Sequence, residues 1–400
     1  MLHFGKADLF ALIAFAAYLM AFVCAVRNPA LLKKFVLAAY AVLAAVGMCE
    51  IALRTLATAP SGLPMKPGKV VSTAADTMPG ISGRIEFSVN SLGLRGPETD
   101  LSRTRINVLC VGGSTTECRY VTDEMTWPWL LQTRLADRAA RRVFVGNSGK
   151  SGHFTAHHLY LLENYAPAGR FDWVIVLCGM NDMGAFLAGD HAERLRWVPD
   201  ETLSGRRRYA AYYHKTALGR ALRECAMNLF YPVEAIEEDP EGRMYAGLRL
   251  CRQRALRETP HRPIPPGLDA ALDAYRSNLK SIGQLCRERK QNILFMTQPA
   301  IYRSDLPAEL QRLLWQGCTG KAYDVATLAR TLDAYNRAMK ETCAAEGFDC
   351  LDLDALMPKD ATAFYDDCHL NIAGCEKTAA AIHEHIENRL ADGCRLRAGR

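Results

Sequence analysis

From residue 105 onward, short apolar runs alternate with longer segments of helical period. Ile106 to Val111 (INVLCV), Trp173 to Cys178 (WVIVLC) and Asn292 to Thr297 read as buried strands, with Arg142 to Val145 and Asp349 to Leu353 as shorter ones. Thr126 to Ala139, His153 to Tyr165, Leu268 to Arg289, Ala326 to Glu346 and Ile372 to Leu390 read as helices. This alternation predicts an α/β domain: a doubly wound parallel sheet covered by helices on both faces, in three layers. A flavodoxin-like strand order, 2-1-3-4-5, opens a crevice beyond the carboxyl ends of the first and third strands. Residues 184–266 break the rhythm, and a segment this long between two strands predicts an inserted lid or subdomain. The insertion is rich in arginine (Arg194, Arg196, Arg206, Arg207, Arg208, Arg220, Arg223). That character suits an anionic substrate or lipid headgroups, and equally a solvated surface.

The first sixty residues follow a different pattern. Leu9 to Val26 carries no charge, and neither does Phe35 to Cys49, before Glu50 interrupts. A membrane-spanning helix needs about 20 apolar residues, with a lower limit near 17. The expectation is a hairpin of two transmembrane helices, at about 9–26 and 35–53. Its connection, Arg27 to Lys34 (RNPALLKK), holds three cations and belongs in the cytoplasm by the positive-inside rule. Everything after about residue 55 then lies outside, in the periplasm of a cell with an inner membrane. Two readings compete: a single span of opposite orientation, and a cleaved signal peptide, whose amino-terminal region would hold only His3 and Lys6. Residues 55–80, rich in Pro, Gly, Ser and Thr, read as a linker to a catalytic domain over 81–400.

Composition narrows the function classes a little. With 49% apolar and 23% charged residues, a packed core is feasible. A formal charge of +6, with no basic run interleaved with aromatics, points away from nucleic acid. Fourteen cysteines include Cys110 and Cys178 in strand-like runs, where a thiol behaves as a small hydrophobe. Cys343 and Cys350 are spaced for a local disulfide in an oxidising compartment. No CxxC pair occurs, so no structural metal is expected.

Four short motifs sit after strands or before the final helix: Gly112-Gly113-Ser114-Thr115-Thr116-Glu117, Asn147-Ser148-Gly149-Lys150-Ser151-Gly152, Gly179-Met180-Asn181-Asp182 and Asp366-Asp367-Cys368-His369. Ser114 follows the first strand and Asn181 the third, so both flank the expected crevice. A serine hydroxyl needs a base to become a nucleophile, and histidine is the usual one. A carboxylate close before His369 can hold its tautomer, with Asp366, three residues before it, the first choice and Asp367 the second. The Ser114 and Gly152 N–H groups and the Asn181 amide can supply an oxyanion hole. Taken singly, each residue has a plainer use: Ser114 with Glu117 can form a helix capping box, and Asn181 can close a turn. His153, His157 and His158 lack a metalloprotease spacing and read as surface or supporting residues. Cys368 and Cys118 could form a redox latch across the site, and Gln298-Pro299 could line the cleft.

In this order and placement the motifs resemble those of the SGNH (GDSL-like) hydrolases. The resemblance implies the SGNH fold, Ser114 as nucleophile, Gly152 and Asn181 as oxyanion donors, His369 as base and Asp366 as its orienting acid, with no cofactor. The run from Asn90 to Glu98 (NSLGLRGPE) resembles a leader of membrane-anchored bacterial members. The first block departs from the GDSL pattern, reading GGST. The expected activity is an extracytoplasmic serine esterase acting on a short acyl group, such as acetyl, on an envelope glycan or lipid. Alternatives are an O-acyltransferase in envelope polysaccharide modification, a lipase at the bilayer surface, and a non-catalytic tethered binding module. Envelope-assembly proteins are candidate partners.

Overall fold

The structure, a computed structural model, describes residues 28–56, 64–65, 67–73, 78–137, 142–189, 240–258, 263–316 and 322–397. The first expected transmembrane segment and the middle of the insertion lie outside the described residues.

Helix α1 (Pro29–Leu56) belongs to a unit separate from the α/β domain. Pro29 occupies the first helical position, where its missing N–H costs nothing. The Asn28 side chain accepts from the Ala30 N–H at 3.0 Å and caps the helix. The helix therefore takes in Lys33 and Lys34, which the sequence pattern places in a connecting segment. Pro29–Cys49, with mean hydropathy 1.8, is long and apolar enough to cross a membrane. Leu37, Tyr40, Val42 and Met48 are exposed along it. This is one apolar helix near the N-terminus, suited to an anchor or a signal sequence; a hairpin is not seen among the described residues.

The second unit is built on five parallel strands: β3 (Ile106–Gly112), β4 (Val143–Asn147), β5 (Trp173–Leu177), β6 (Asn292–Met296) and β7 (Asp349–Leu351). They lie in the order β4-β3-β5-β6-β7, the expected 2-1-3-4-5. Every residue of β3 and of β5 is buried, because central parallel strands are covered on both faces. Helices follow the strands: α2 (Ser114–Glu117), α3 (Trp127–Asp137), α4 (Thr155–Asn164), α5 (Met180–Ala188), α6 (Pro240–Glu258), α7 (Leu268–Glu288), α8 (Val325–Glu346) and α9 (Ile372–Arg397). α3 packs on α9, while α7 packs on both α4 and α8, giving two helical layers with the sheet between them. Right-handed crossovers place the helices in this way once strand order reverses beside β3.

Two features differ from the sequence reading. β1 (Gly68–Thr73) lies inside the expected linker and pairs antiparallel with β2 (Arg84–Val89). Its Val70-Val71 pair is hidden between proline-rich stretches, which masked a short strand. α5 continues directly from the Gly179-Met180-Asn181-Asp182 motif, so Asn181 stands in the first turn of a helix rather than in a free turn. The hairpin joins the main sheet through Arg95, which bridges both Val89 and Asn147.

Candidate active site

β3 ends in glycines, and the chain turns at once into α2, with Gly113 as N-cap and Ser114 as first helical residue. The capping-box reading therefore fails: Gly113 caps without a side chain, and the Glu117 carboxylate turns away to Ser151. At the first helical position the Ser114 N–H has no intrahelical acceptor and stays free for a ligand. Ser114 itself is half-buried.

His369 reaches Ser114 from 255 residues further along the chain. The loop before α9 is folded back on itself, with the Tyr365 N–H donating to the His369 carbonyl at 3.1 Å and Phe364 bridging Leu370. Asn371 caps α9 by accepting from the Gly374 N–H at 3.0 Å. His369 Nε2 lies 2.7 Å from Ser114 Oγ, and its Nδ1 lies 2.6 Å from Asp366 Oδ2. Asp366 Oδ1 also accepts from the backbone N–H groups of Cys368 and His369. The carboxylate thus fixes both the ring and the backbone that carries it.

The electrostatics follow from this packing. Burial by itself would lift the Asp366 pKa, but the charge and hydrogen bond of His369 outweigh it and hold the carboxyl below its ordinary value. Burial likewise opposes a charged His369, yet the Asp366 charge and hydrogen bond hold the imidazole above its ordinary value. Asp367 is not the orienting acid. Its carboxylate accepts from Tyr302 Oη at 2.6 Å and from the Trp315 N–H at 2.6 Å. Burial and the Asp366 charge push Asp367 up to about 6.

Of the oxyanion candidates, Asn181 lies against Gly113, the residue before Ser114. The Asn181 amide donates to the His153 carbonyl at 2.8 Å, which leaves its second N–H available. Gly152 stands between Ser151 and His153 in a turn closed by the His153 N–H on the Lys150 carbonyl, with φ +78, a left-handed conformation that favours glycine. A Cβ on Gly113 would lie 2.4 Å from Asn181 Nδ2 and 3.2 Å from the His153 carbonyl oxygen. Gly113→Ala should therefore displace Asn181 and lower kcat by about 10²- to 10³-fold, the order seen when one oxyanion donor is lost. A thermal melt within a few degrees of the parent, with kcat for p-nitrophenyl acetate unchanged, would show that Asn181 does not act there.

A family model described as the GDSL-like lipase/acylhydrolase family matches residues 110–377, about two thirds of the chain. The chain belongs to this family. It is accordingly a carboxylic ester hydrolase by family. No curated protein matches it. Among solved structures it is similar to LAE5, an alpha/beta hydrolase enzyme from the metagenome of Lake Arreo, Spain, at 14% identity and TM-score 0.40, over 70% of this chain and 95% of that one. It is also similar to Axe2, an acetylxylan esterase from Geobacillus stearothermophilus, at 16% identity and TM-score 0.39, over 71% and 94%.

This GDSL-like hydrolase carries supporting residues that no motif announced. Trp315 donates from Nε1 to Asp366 Oδ2 at 3.0 Å and stacks on His369. Tyr365 stacks on the same ring at 5.4 Å, and Tyr245 meets it edge-on at 5.9 Å. Tyr245 comes from α6, the far end of the insertion, which is docked here through Arg249 on the Tyr365 carbonyl and Arg252 on the Gln316 and Tyr323 carbonyls. Behind Asn181, the buried Asp182 takes the Thr155 N–H and hydroxyl, and Asn278 completes the Thr155 hydroxyl. Burial pushes Asp182 up to about 7. Nothing in the spacing of these residues ties them to the site; they meet only through the fold.

The remaining sequence candidates fall into place around it. Gln298 is buried rather than lining an open cleft, paired with Asn336 and 3.5 Å from the Thr115 hydroxyl. His153 stacks on His157, and burial together with His157 and Lys150 pushes it down to about 3, so it is neutral. His158 is buried on the inner side of α4. Cys118 does not meet Cys368; its Sγ lies 3.9 Å from that of Cys375. Cys343 and Cys350 are adjacent free thiols rather than a disulfide.

Proposed function

We propose that this protein is a membrane-anchored serine esterase that forms an acyl-enzyme on Ser114. The observation carrying this reading is the unbroken hydrogen-bonded line Ser114 Oγ, His369 Nε2, His369 Nδ1 and Asp366 Oδ2, with links of 2.7 and 2.6 Å. Such a line activates the hydroxyl at the moment of attack. Ser114 Oγ adds to the ester carbonyl, and its proton passes to His369 Nε2. Asp366 keeps Nδ1 protonated and balances the imidazolium. The negative charge on the former carbonyl oxygen is met by the Ser114 N–H, the Gly152 N–H and the Asn181 amide. Collapse of the intermediate expels the alcohol, which takes the proton from His369. Water, deprotonated by the same His369, then attacks the acyl carbonyl, and the acid leaves as His369 returns that proton to Ser114 Oγ.

The favoured substrate is a short acyl ester, such as acetyl, on an envelope glycan or lipid. The domain then lies in the periplasm, tethered to the inner membrane by α1. Lys33 and Lys34 at the start of that helix support this orientation, because cations mark the cytoplasmic flank.

The reading is tested by treating the full chain in detergent with a fluorophosphonate probe and mapping the modified peptide. The expected adduct is on Ser114, with none formed once the protein is unfolded. Modification at any other serine, or none in folded protein, would remove the reading.

A further inference from the structure

We propose that Arg95 is a positioning residue for the nucleophile, a clamp that sets Ser114 by holding the carbonyl end of its helix. The inference rests on Ser114 being the nucleophile. α2 is four residues long, so nearly all of its carbonyls lack intrahelical partners. After it the chain reverses at Cys118, which has φ +53, an unusual left-handed conformation for a residue other than glycine. Carbonyls of this turn consequently point inward to one place, away from water.

Arg95 fills that place. Its five N–H donors meet five acceptors: Nε on Asp123 Oδ1 at 2.8 Å, Nη1 on the Glu117 and Cys118 carbonyls at 2.6 Å each, and Nη2 on the Val121 and Glu86 carbonyls at 2.5 and 3.3 Å. The side chain is 1% exposed and its guanidinium lies over the Phe87 ring. Asp123 in turn accepts from the Ser88 N–H at 2.9 Å. The Arg95 N–H donates to the Asn147 carbonyl at 2.8 Å, and the Asn147 amide takes the Thr116 carbonyl at 2.7 Å. Three successive carbonyls, of residues 116, 117 and 118, are thus held by Arg95, in the segment that follows β2, and by Asn147 at the end of β4. Through them the β1–β2 hairpin fixes where α2 begins, and so where the Ser114 hydroxyl and N–H stand. A lysine has one ammonium and no fork, and cannot serve five acceptors spread across this turn.

The test compares Arg95→Lys and Asp123→Asn with the parent, as full chains in detergent. The end point of fluorophosphonate labelling counts competent sites, and p-nitrophenyl acetate turnover is expressed per labelled site. A displaced nucleophile lowers kcat rather than affinity. Arg95→Lys should lose about 10- to 100-fold in kcat per site with KM within about twofold, because a misplacement near 1 Å costs on that order. Asp123→Asn keeps the guanidinium and should lose a few-fold, and it decides the matter if the lysine variant does not fold. Fewer labelled sites with unchanged kcat per site would make Arg95 a stabilising residue only and overturn the inference. A folded parent that never labels would remove the reading of Ser114 and this inference together, whereas labelling confined to Ser114 in the parent tests that reading apart from Arg95.

Discussion

Turnover of p-nitrophenyl acetate should fall by about 10⁴- to 10⁶-fold in Ser114→Ala, by a similar factor in His369→Ala, and by no more in the double variant. On the proposed mechanism the two side chains act as one device. Ser114 Oγ is a weak nucleophile until His369 Nε2, 2.7 Å away, takes its proton. Without the hydroxyl the base has nothing to activate, and without the base the hydroxyl stays protonated, so the second loss adds nothing. Residual catalysis should come from the oxyanion donors alone, with the Ser114 N–H and Asn181 still present. KM should change little, because neither side chain is needed to hold an ester before attack. Two outcomes would sink this account: a single variant retaining more than about a tenth of the parent rate, or losses that multiply in the double variant.

The parts of this molecule that were legible in sequence are those where one short segment declares its own environment. β3 and β5 are buried on both faces, so each carries an apolar run, Val108 to Val111 in β3 and Trp173 to Leu177 in β5, and the glycine and polar residues that follow mark where the chain leaves the sheet. That pattern alone puts Ser114 and Asn181 on either side of one crevice. Asp366 was legible because a carboxylate three residues before His369 can reach Nδ1 within a single turn. The illegible parts depend on long-range packing. Trp315 lies 51 residues from Asp366, and Tyr245 reaches His369 from the insertion. Their types and spacings are those of ordinary core residues. Glu117 misled for a definite reason: a helix-capping pattern and a strut to Ser151 both call for an acid at the same offset, and the fold chose the strut. The same holds for Cys118, whose partner is fixed by the packing of α9 rather than by closeness to His369 in sequence.

Asp366→Asn should leave the protein folded, lower kcat by about 10⁴-fold, and move the acid limb of kcat/KM to lower pH. The asparagine oxygen can still accept from the Cys368 and His369 backbone N–H groups, so the turn keeps its shape. Its amide nitrogen then faces His369 Nδ1 and Trp315 Nε1, both of which donate to the carboxylate in the parent. A donor opposite Nδ1 favours the tautomer with the proton on Nε2, and that nitrogen can no longer take the Ser114 proton. The pH effect has a separate cause and a fixed sign. The base must be neutral, so activity rises as pH climbs through the His369 pKa. In the parent, burial lowers that pKa, but the Asp366 charge and hydrogen bond raise it further, and it stands above the ordinary imidazole value. The acid limb of the parent therefore lies above about pH 6.5. Removing the Asp366 charge removes the two larger raising contributions and leaves burial against the smaller ones of Asp367 and Cys118, so the limb of the variant moves down. A profile of kcat/KM from acid to neutral pH reads both effects at once, since the height of the plateau reports the tautomer and the position of the limb reports the charge. A low plateau with an unmoved limb would mean that the titrating group is not His369; Asp367, pushed up to about 6 in the same turn, would then be the group to replace next.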